Sequence, residues 1–526
     1  MTSPGSLSDF PIPVIFCSCR SQLITCPPQG LITSGTCGPR RNLGLSGIGA
    51  KIHVMEQGGS GLQNVQDRVS GRQESESKSR HSFRATARTY WPQLLIIVFG
   101  LGLASALFVL QRAPVGGRNI VKITGVDAVY YFATAHSLLF DRDFDLTNQF
   151  EFLDPHMMFR TQVRSSSGKP ENPFAIGYPI LSIPFLAAGT ALDALMGRPA
   201  DGYSQSALFF YFLANITFVV LGMIFLSRLL QHFGMSSVQA TFITFALWCA
   251  TTLGYYTLSP MSHAATFMMA SAFMLVWWRV KDSSSPRGWA LLGLCGGFLS
   301  ICRWQDIFYL GIPVLFELSR SRSLVPWSRW FTYGGAAAAC WIPQVTQWKV
   351  IYGRFFTIPQ GRDFLHFPPH YMHLVLFSTN HGWFIWTPIT ALGVVGLFYG
   401  ARKATAFYWP CLLVIFLEVA VMGSMPTNWH NSESFGIRSL TSCVPLIGLG
   451  VATLMRDLGP GFKVVVIGLI ALCAIYTTLF AVQYRLDLIP KVGPLTISEL
   501  LWDKLSLKQV YQRTHRLPLD SPQPAR

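Results

Sequence analysis

Charged residues are scarce in this chain: Asp, Glu, Lys and Arg together make up 13% of it, about half the share usual in soluble domains. With 50% of the residues hydrophobic, so little charge excludes an ordinary soluble fold. Three routes to catalysis are missing as well: the Gly-rich phosphate loop with its Lys, the HExxH of zinc proteases and the GxSxG nucleophile elbow. There is no disulfide framework, because Cys249, Cys295, Cys302, Cys340, Cys411, Cys443 and Cys473 lie in or beside apolar runs, where a thiol acts as a small buried hydrophobe. Cys17, Cys19, Cys26 and Cys37 lack zinc-finger spacing. Acids are the scarcer sign, 25 against 41 bases. The bases fall in short loops and in the N-terminal segment, which reads as a membrane topology signal and implies no nucleic-acid partner.

What the chain does have is apolar runs. A run of about 18 residues crosses a hydrocarbon core of roughly 30 Å, and the runs predict an all-α polytopic membrane protein of about eleven transmembrane helices. They cover residues 92–111, 205–228, 238–258, 262–279, 288–302, 306–319, 331–350, 376–400, 405–423, 438–455 and 462–484. Residues 1–90 are polar and aperiodic and read as a disordered cytoplasmic segment, within which Met55 is an alternative start. Residues 91–485 form the membrane domain, and 486–526 form a short outer tail containing one amphipathic helix. A further apolar piece, 173–195, carries Pro179 and Pro184, which disfavour a straight helix. If it stays in the outer interface, Arg228, the loops around Lys281 and Arg322, the 401–403 turn and Arg456 all share the cytoplasmic side with the basic N-terminus. The long first loop, 112–204, then lies outside with nearly every other polar group.

That loop opens with ITGVDAVYYFATAHSLLFDRDFDLTN, residues 123–148. Thr124 and Asp127 have the spacing of a helix start, where an acid suits the dipole. Asp127 is therefore either part of a cap or a catalytic base. Asp127 and Tyr131 share one face at i and i+4, while Val126, Val129, Tyr130 and Ala133 form another, the pattern of an interfacial amphipathic helix. Asp143 and Asp145 have the D-x-D spacing of a divalent cation site or of a solvated turn, and the turn is the favoured reading. Arg303 either pairs with Asp306 or binds phosphate with its guanidinium fork. His263 heads a helix. Arg362, Asp363 and His366 lie in one outer loop, and Asn380 and His381 head a span beside Trp383 and Trp386, whose default role is interfacial anchoring.

The order of these pieces resembles the GT-C superfamily of membrane glycosyltransferases, in its protein O-mannosyltransferase, aminoarabinose transferase and RgtA/B/C/D-like branch. The resemblance rests on the first-loop acid, the Tyr-containing helix, GKPENPFAIGYPILSIPFLAAG, LFSTNHGWFIWTP and NWHNSESFGIRSLTSCVPLIGLG, and it covers about 90–485. It implies a bacterial inner-membrane enzyme with its N-terminus in the cytoplasm. Such an enzyme moves a sugar from a polyprenyl-phosphate carrier to a lipid, polysaccharide or protein acceptor on the outer side, with inversion and without a required metal. Asp127 would be the general base. Arg438, Arg303, Arg362, His381, Glu433 and His430 would contact the donor phosphate or sugar, and Tyr131, His263 and Asp143 would serve the acceptor. A His at 263 departs from relatives that carry a second acid there. A polytopic secondary transporter or a flippase of envelope precursors is the alternative, although no inverted repeat is visible.

Overall fold

The computed structural model describes residues 91–112, 122–123, 125–159, 161–320, 327–503. The expected disorder of 1–90, the Thr124 cap and the end of the tail fall outside these residues. All of the described residues belong to one unit of the chain. They form an all-α membrane protein whose only β pairing is an isolated bridge between Arg164 and Pro170.

The helices are α1 (Trp91–Arg112), α2 (Val126–Phe140), α3 (Thr147–Leu153), α4 (Gly177–Leu195), α5 (Gln205–His232), α6 (Ser237–Ala250), α7 (Thr252–Tyr256), α8 (Ser262–Val280) and α9 (Pro286–Cys302). They continue with α10 (Gly311–Arg320), α11 (Trp327–Tyr352), α12 (Met372–Phe377), α13 (Trp383–Trp386), α14 (Ile389–Ala401), α15 (Thr405–Gly423), α16 (Val444–Asp457), α17 (Pro460–Arg485) and α18 (Ile497–Leu501). Turns of 3-10 helix at Trp304–Leu310 and Arg438–Cys443 lead into α10 and α16.

Among the described residues, 6 helical segments are long and apolar enough to cross a membrane, against the eleven expected. Three of the expected runs are interrupted, while 262–279, 288–302 and 331–350 are the continuous helices α8, α9 and α11. The run 238–258 breaks at Thr251, whose backbone is extended, so that α6 and α7 are separate. The run 376–400 becomes α12, α13 and α14, with a break at His381, whose φ is 67°. The run 306–319 starts as 3-10 helix before it becomes α10. Hydropathy does not register such breaks, because the residues on either side remain apolar.

Two further expectations need correction. Residues 177–195 form one continuous helix despite their prolines. Pro179 lies in the first turn, where an N–H has no intrahelical partner anyway, and only Pro184 sits in the interior. α2 is not a surface amphipathic helix, because every residue from Ala128 to Ser137 is buried.

The loop ends sort into two faces. On one, Arg456 lies over the Phe233 ring at 4.5 Å, Lys403 pairs with Asp457 at 3.2 Å, and Arg320 pairs with Asp282. These contacts gather the ends of α5, α8, α10, α14 and α16, where the basic loops are. On the other face lie the starts of α2, α8 and α16 and the end of α9, and the candidate chemistry gathers there.

Candidate active site

Four helix starts converge at this face. Gly125, with φ 86° and ψ 150°, precedes α2 in a conformation open mainly to glycine, and places Asp127 in the first turn. Met261 precedes α8. Arg303 and Ile437 are the residues before the two 3-10 turns. Met261 supplies no capping side chain to α8, so the first N–H groups of that helix and the positive end of its dipole remain available for an anion.

The side chains form one connected group. Asp127 Oδ2 and Arg438 Nη2 make an ion pair at 2.9 Å, with about a fifth of each side chain exposed (21% and 18%). Arg438 Nη1 reaches Met261 Sδ at 3.3 Å, and the guanidinium lies 5.7 Å from the Tyr256 ring. The Tyr131 hydroxyl donates to Ser262 Oγ at 3.1 Å. Burial pushes that phenol up to about 12, which keeps it a hydrogen-bond donor at neutral pH. Arg303 donates from Nη1 to His263 Nδ1 at 3.1 Å and from Nη2 to Ser439 Oγ at 2.7 Å. The Asp306 carboxyl is thus not the hydrogen-bonded partner of the Arg303 guanidinium, contrary to the simplest pairing expected from the sequence. Asp127, Tyr131, His263, Arg303 and Arg438 are brought together.

A loop closes the group from the C-terminal side. Ser439 N–H donates to Asn431 Oδ1 at 3.1 Å, and Phe435 N–H donates to the Tyr256 hydroxyl at 2.7 Å. His381 Nδ1 donates to the His430 carbonyl at 2.7 Å. Burial holds the His430 imidazole below its ordinary value. The start of the tail crosses the turn that carries His381, with Gly493 N–H on Asn380 Oδ1 at 3.2 Å and Leu495 N–H on Thr379 Oγ1 at 3.1 Å.

Glu433 is exposed and near Tyr484. The backbone of Arg362 lies in a 3-10 turn, Arg362–Phe364, between α11 and α12. Asp143 does not join the group: it accepts from Ser137 Oγ at 2.8 Å and from Asp145 N–H at 3.0 Å at the far end of α2. Asp145 is bonded by Thr147 Oγ1 at 2.7 Å and Lys169 at 3.0 Å, and these hydrogen bonds, that of Thr147 first, hold its carboxyl below the usual range. The D-x-D is therefore a structural turn. No group of three His, Cys, Asp or Glu side chains suited to a metal ion occurs among the described residues.

Several participants escaped the sequence reading. Ser262, Ser439, Asn431 and Tyr256 carry no local signal. Gln305 and Glu418 are hydrogen-bonded at 2.7 Å, and Glu418 did carry one, as a lone acid in the apolar run 405–423.

Scans against family models and curated proteins returned no match. Among solved structures, the chain is similar to the archaeal oligosaccharyltransferase AglB from Archaeoglobus fulgidus in complex with an inhibitory peptide and a dolichol-phosphate. That similarity has 11% identity and a TM-score of 0.42, over 83% of this chain and 62% of that one. The chain therefore spans about three fifths (62%) of the length of that structure.

Proposed function

We propose that the protein is a GT-C-type membrane glycosyltransferase, which moves a sugar from a polyprenyl-phosphate donor to an acceptor hydroxyl at the outer face of a bacterial inner membrane. The observation that carries this reading is the Asp127–Arg438 ion pair beside the Arg303–His263–Ser439 cluster. It combines one carboxylate for a proton with two guanidiniums for a phosphate, ringed by helix N-termini. The order of sequence features resembling that superfamily supports it.

In this mechanism the donor phosphate competes for Arg438 and releases the Asp127 carboxylate. Asp127 takes the acceptor's hydroxyl proton as the oxygen attacks the anomeric carbon. The bond from that carbon to the phosphate oxygen breaks with inversion, and the negative charge left on the polyprenyl phosphate is held by Arg438 and Arg303. Tyr131 and His263 line the acceptor side.

The test is sugar transfer in membranes from labelled polyprenyl-phosphate sugars. Asp127→Asn is expected to lose about 100-fold or more of the turnover, and Arg438→Ala to raise the donor KM. Full turnover in Asp127→Asn would remove the base. Solute uptake coupled to an ion, with no transfer from any lipid-linked sugar, would favour the transporter, a reading to which the interrupted helices also lend themselves.

A further inference from the structure

Beneath the site, one layer further into the bundle, lies a second polar cluster that the transfer chemistry does not use. Asp306, Glu418 and Ser442 are each 0% exposed. The two carboxyls face each other, and the Ser442 hydroxyl sits beside Asp306. Both Asp306 oxygens, Glu418 Oε1 and Ser442 Oγ have no hydrogen-bond partner. Three buried carboxyl oxygens with only the Ser442 hydroxyl as a nearby donor are costly in an apolar setting unless a further proton or its equivalent lies among them. Two adjacent buried carboxyls do not both carry charge without a cation between them.

The cluster is connected to the site above it. Gln305 Nε2 donates to Glu418 Oε2 at 2.7 Å and to the Ser439 carbonyl at 3.4 Å, and Ser439 Oγ in turn receives Arg303. Tyr309 closes the lower side by donating to the Ser442 carbonyl at 2.6 Å. The titratable groups packed around the pair are Cys302, Tyr309, Cys411, Cys443 and Arg303, and of these Arg303 is the cation that acts on both carboxyls.

We infer that Asp306 and Glu418 share one proton and together present a single negative charge, the buried counter-ion that positions Arg303 and limits how tightly it holds a lipid phosphate. Either carboxyl alone supplies that charge, so either is replaceable by its amide, but not both. The lipid-phosphate part of this inference rests on the reading given under Proposed function.

Two measurements on the full chain in detergent test it. In the infrared at neutral pH, the wild type shows a protonated-carboxyl band that is lost in Glu418→Gln and in Asp306→Asn, because the remaining acid ionises against Arg303. Absence of that band from the wild type, or its survival in both variants, overturns the pair. The second measurement is binding of a polyprenyl monophosphate. The single variants are expected to bind like the wild type, and Asp306→Asn with Glu418→Gln to bind at least about tenfold more tightly, since Arg303 then lacks its counter-charge. A purely structural role predicts the opposite sign, so weaker or unchanged binding by the double variant overturns the counter-ion role. If the wild type binds no polyprenyl phosphate, the lipid-donor reading falls, and the infrared result alone decides for or against the shared proton.

Discussion

Arg438 faces a carboxylate with one nitrogen and a thioether with the other, so its fork is already spread between two partners before any substrate arrives. A lysine would keep the charge and lose the fork. Arg438→Lys is accordingly expected to raise the donor KM about tenfold, the worth of one charge-assisted hydrogen bond, with a smaller change in kcat; equal losses in both would point to misfolding. His430 gives a pH signature. Its burial lowers the proton affinity of the folded state relative to the ordinary value of 6.5, so its contribution to stability is complete above that value. It is lost as pH falls from 6.5 towards the lower folded value, because the unfolded chain then binds the proton first. Thermal midpoints measured from pH 8 downward should fall less steeply in His430→Gln than in the wild type, and identical slopes would assign the loss to other groups. Asp127, Tyr131, His263, Arg303 and Arg438 were legible in the sequence because each sits at or near a helix start with its own local signal. Ser439 and Gln305 were not, since their roles come from chain segments more than a hundred residues apart. At Asp143 the favoured reading was the turn, and its carboxylate accepts from the Asp145 N–H.

At the scale of elements, apolar content was legible and helix continuity was not. Hydropathy averages over about a turn or more of chain, whereas α6 is parted from α7 by the single residue Thr251 and α13 from α14 by Thr387 and Pro388, and the turn between α12 and α13 is held by the Trp386 indole donating to the Thr379 carbonyl at 2.9 Å. These breaks bring polar loops to the site, so the sequence reading failed near the chemistry. Packing between unbroken helices follows the small-residue rule. α14 and α16 meet backbone to backbone, and a Cβ at Gly450 would stand 1.9 Å from the Gly393 carbonyl oxygen. Gly450→Leu is expected to cost at least about 1–3 kcal/mol by overpacking and to lower the thermal midpoint of the purified protein. Gly468, where an added Cβ would meet nothing within 4 Å, serves as the control: Gly468→Leu should leave the midpoint unchanged, and similar effects of the two would dismiss the seam.

For the whole molecule, the open matter is whether α4 crosses, because every later loop changes side with it. The Gln111 Nε2 at the end of α1 donates to Gln205 Oε1 at the start of α5, at 3.1 Å, so the chain leaves and re-enters the bundle at one face. Between these points it crosses an even number of times, and α4 is the one intervening helix of membrane-spanning length and composition among the described residues. Its two flanks are also tied to neighbouring positions on α2: Asn172 Nδ2 donates to Thr134 Oγ1 at 2.9 Å, and His136 Nε2 donates to the Asp201 carbonyl at 2.7 Å. With the flanking turns held two residues apart on α2 and Gly189 of α4 against Ser206 and Ala207 at the start of α5, α4 is expected to lie along the face. With α4 on that face, the basic loops would collect on the opposite one, as the positive-inside rule requires. Single cysteines at Ser166→Cys and Arg198→Cys, before and after α4, should both react with a membrane-impermeant thiol reagent on intact cells, above the baseline of the unsubstituted chain. Arg402→Cys should react only after permeabilisation. Labelling of positions 166 and 198 from opposite sides would mean that α4 crosses, which would separate the 161–176 segment from the Asp201 loop and put Asp127 and the Arg303 cluster on different sides of the membrane, a result incompatible with one active site.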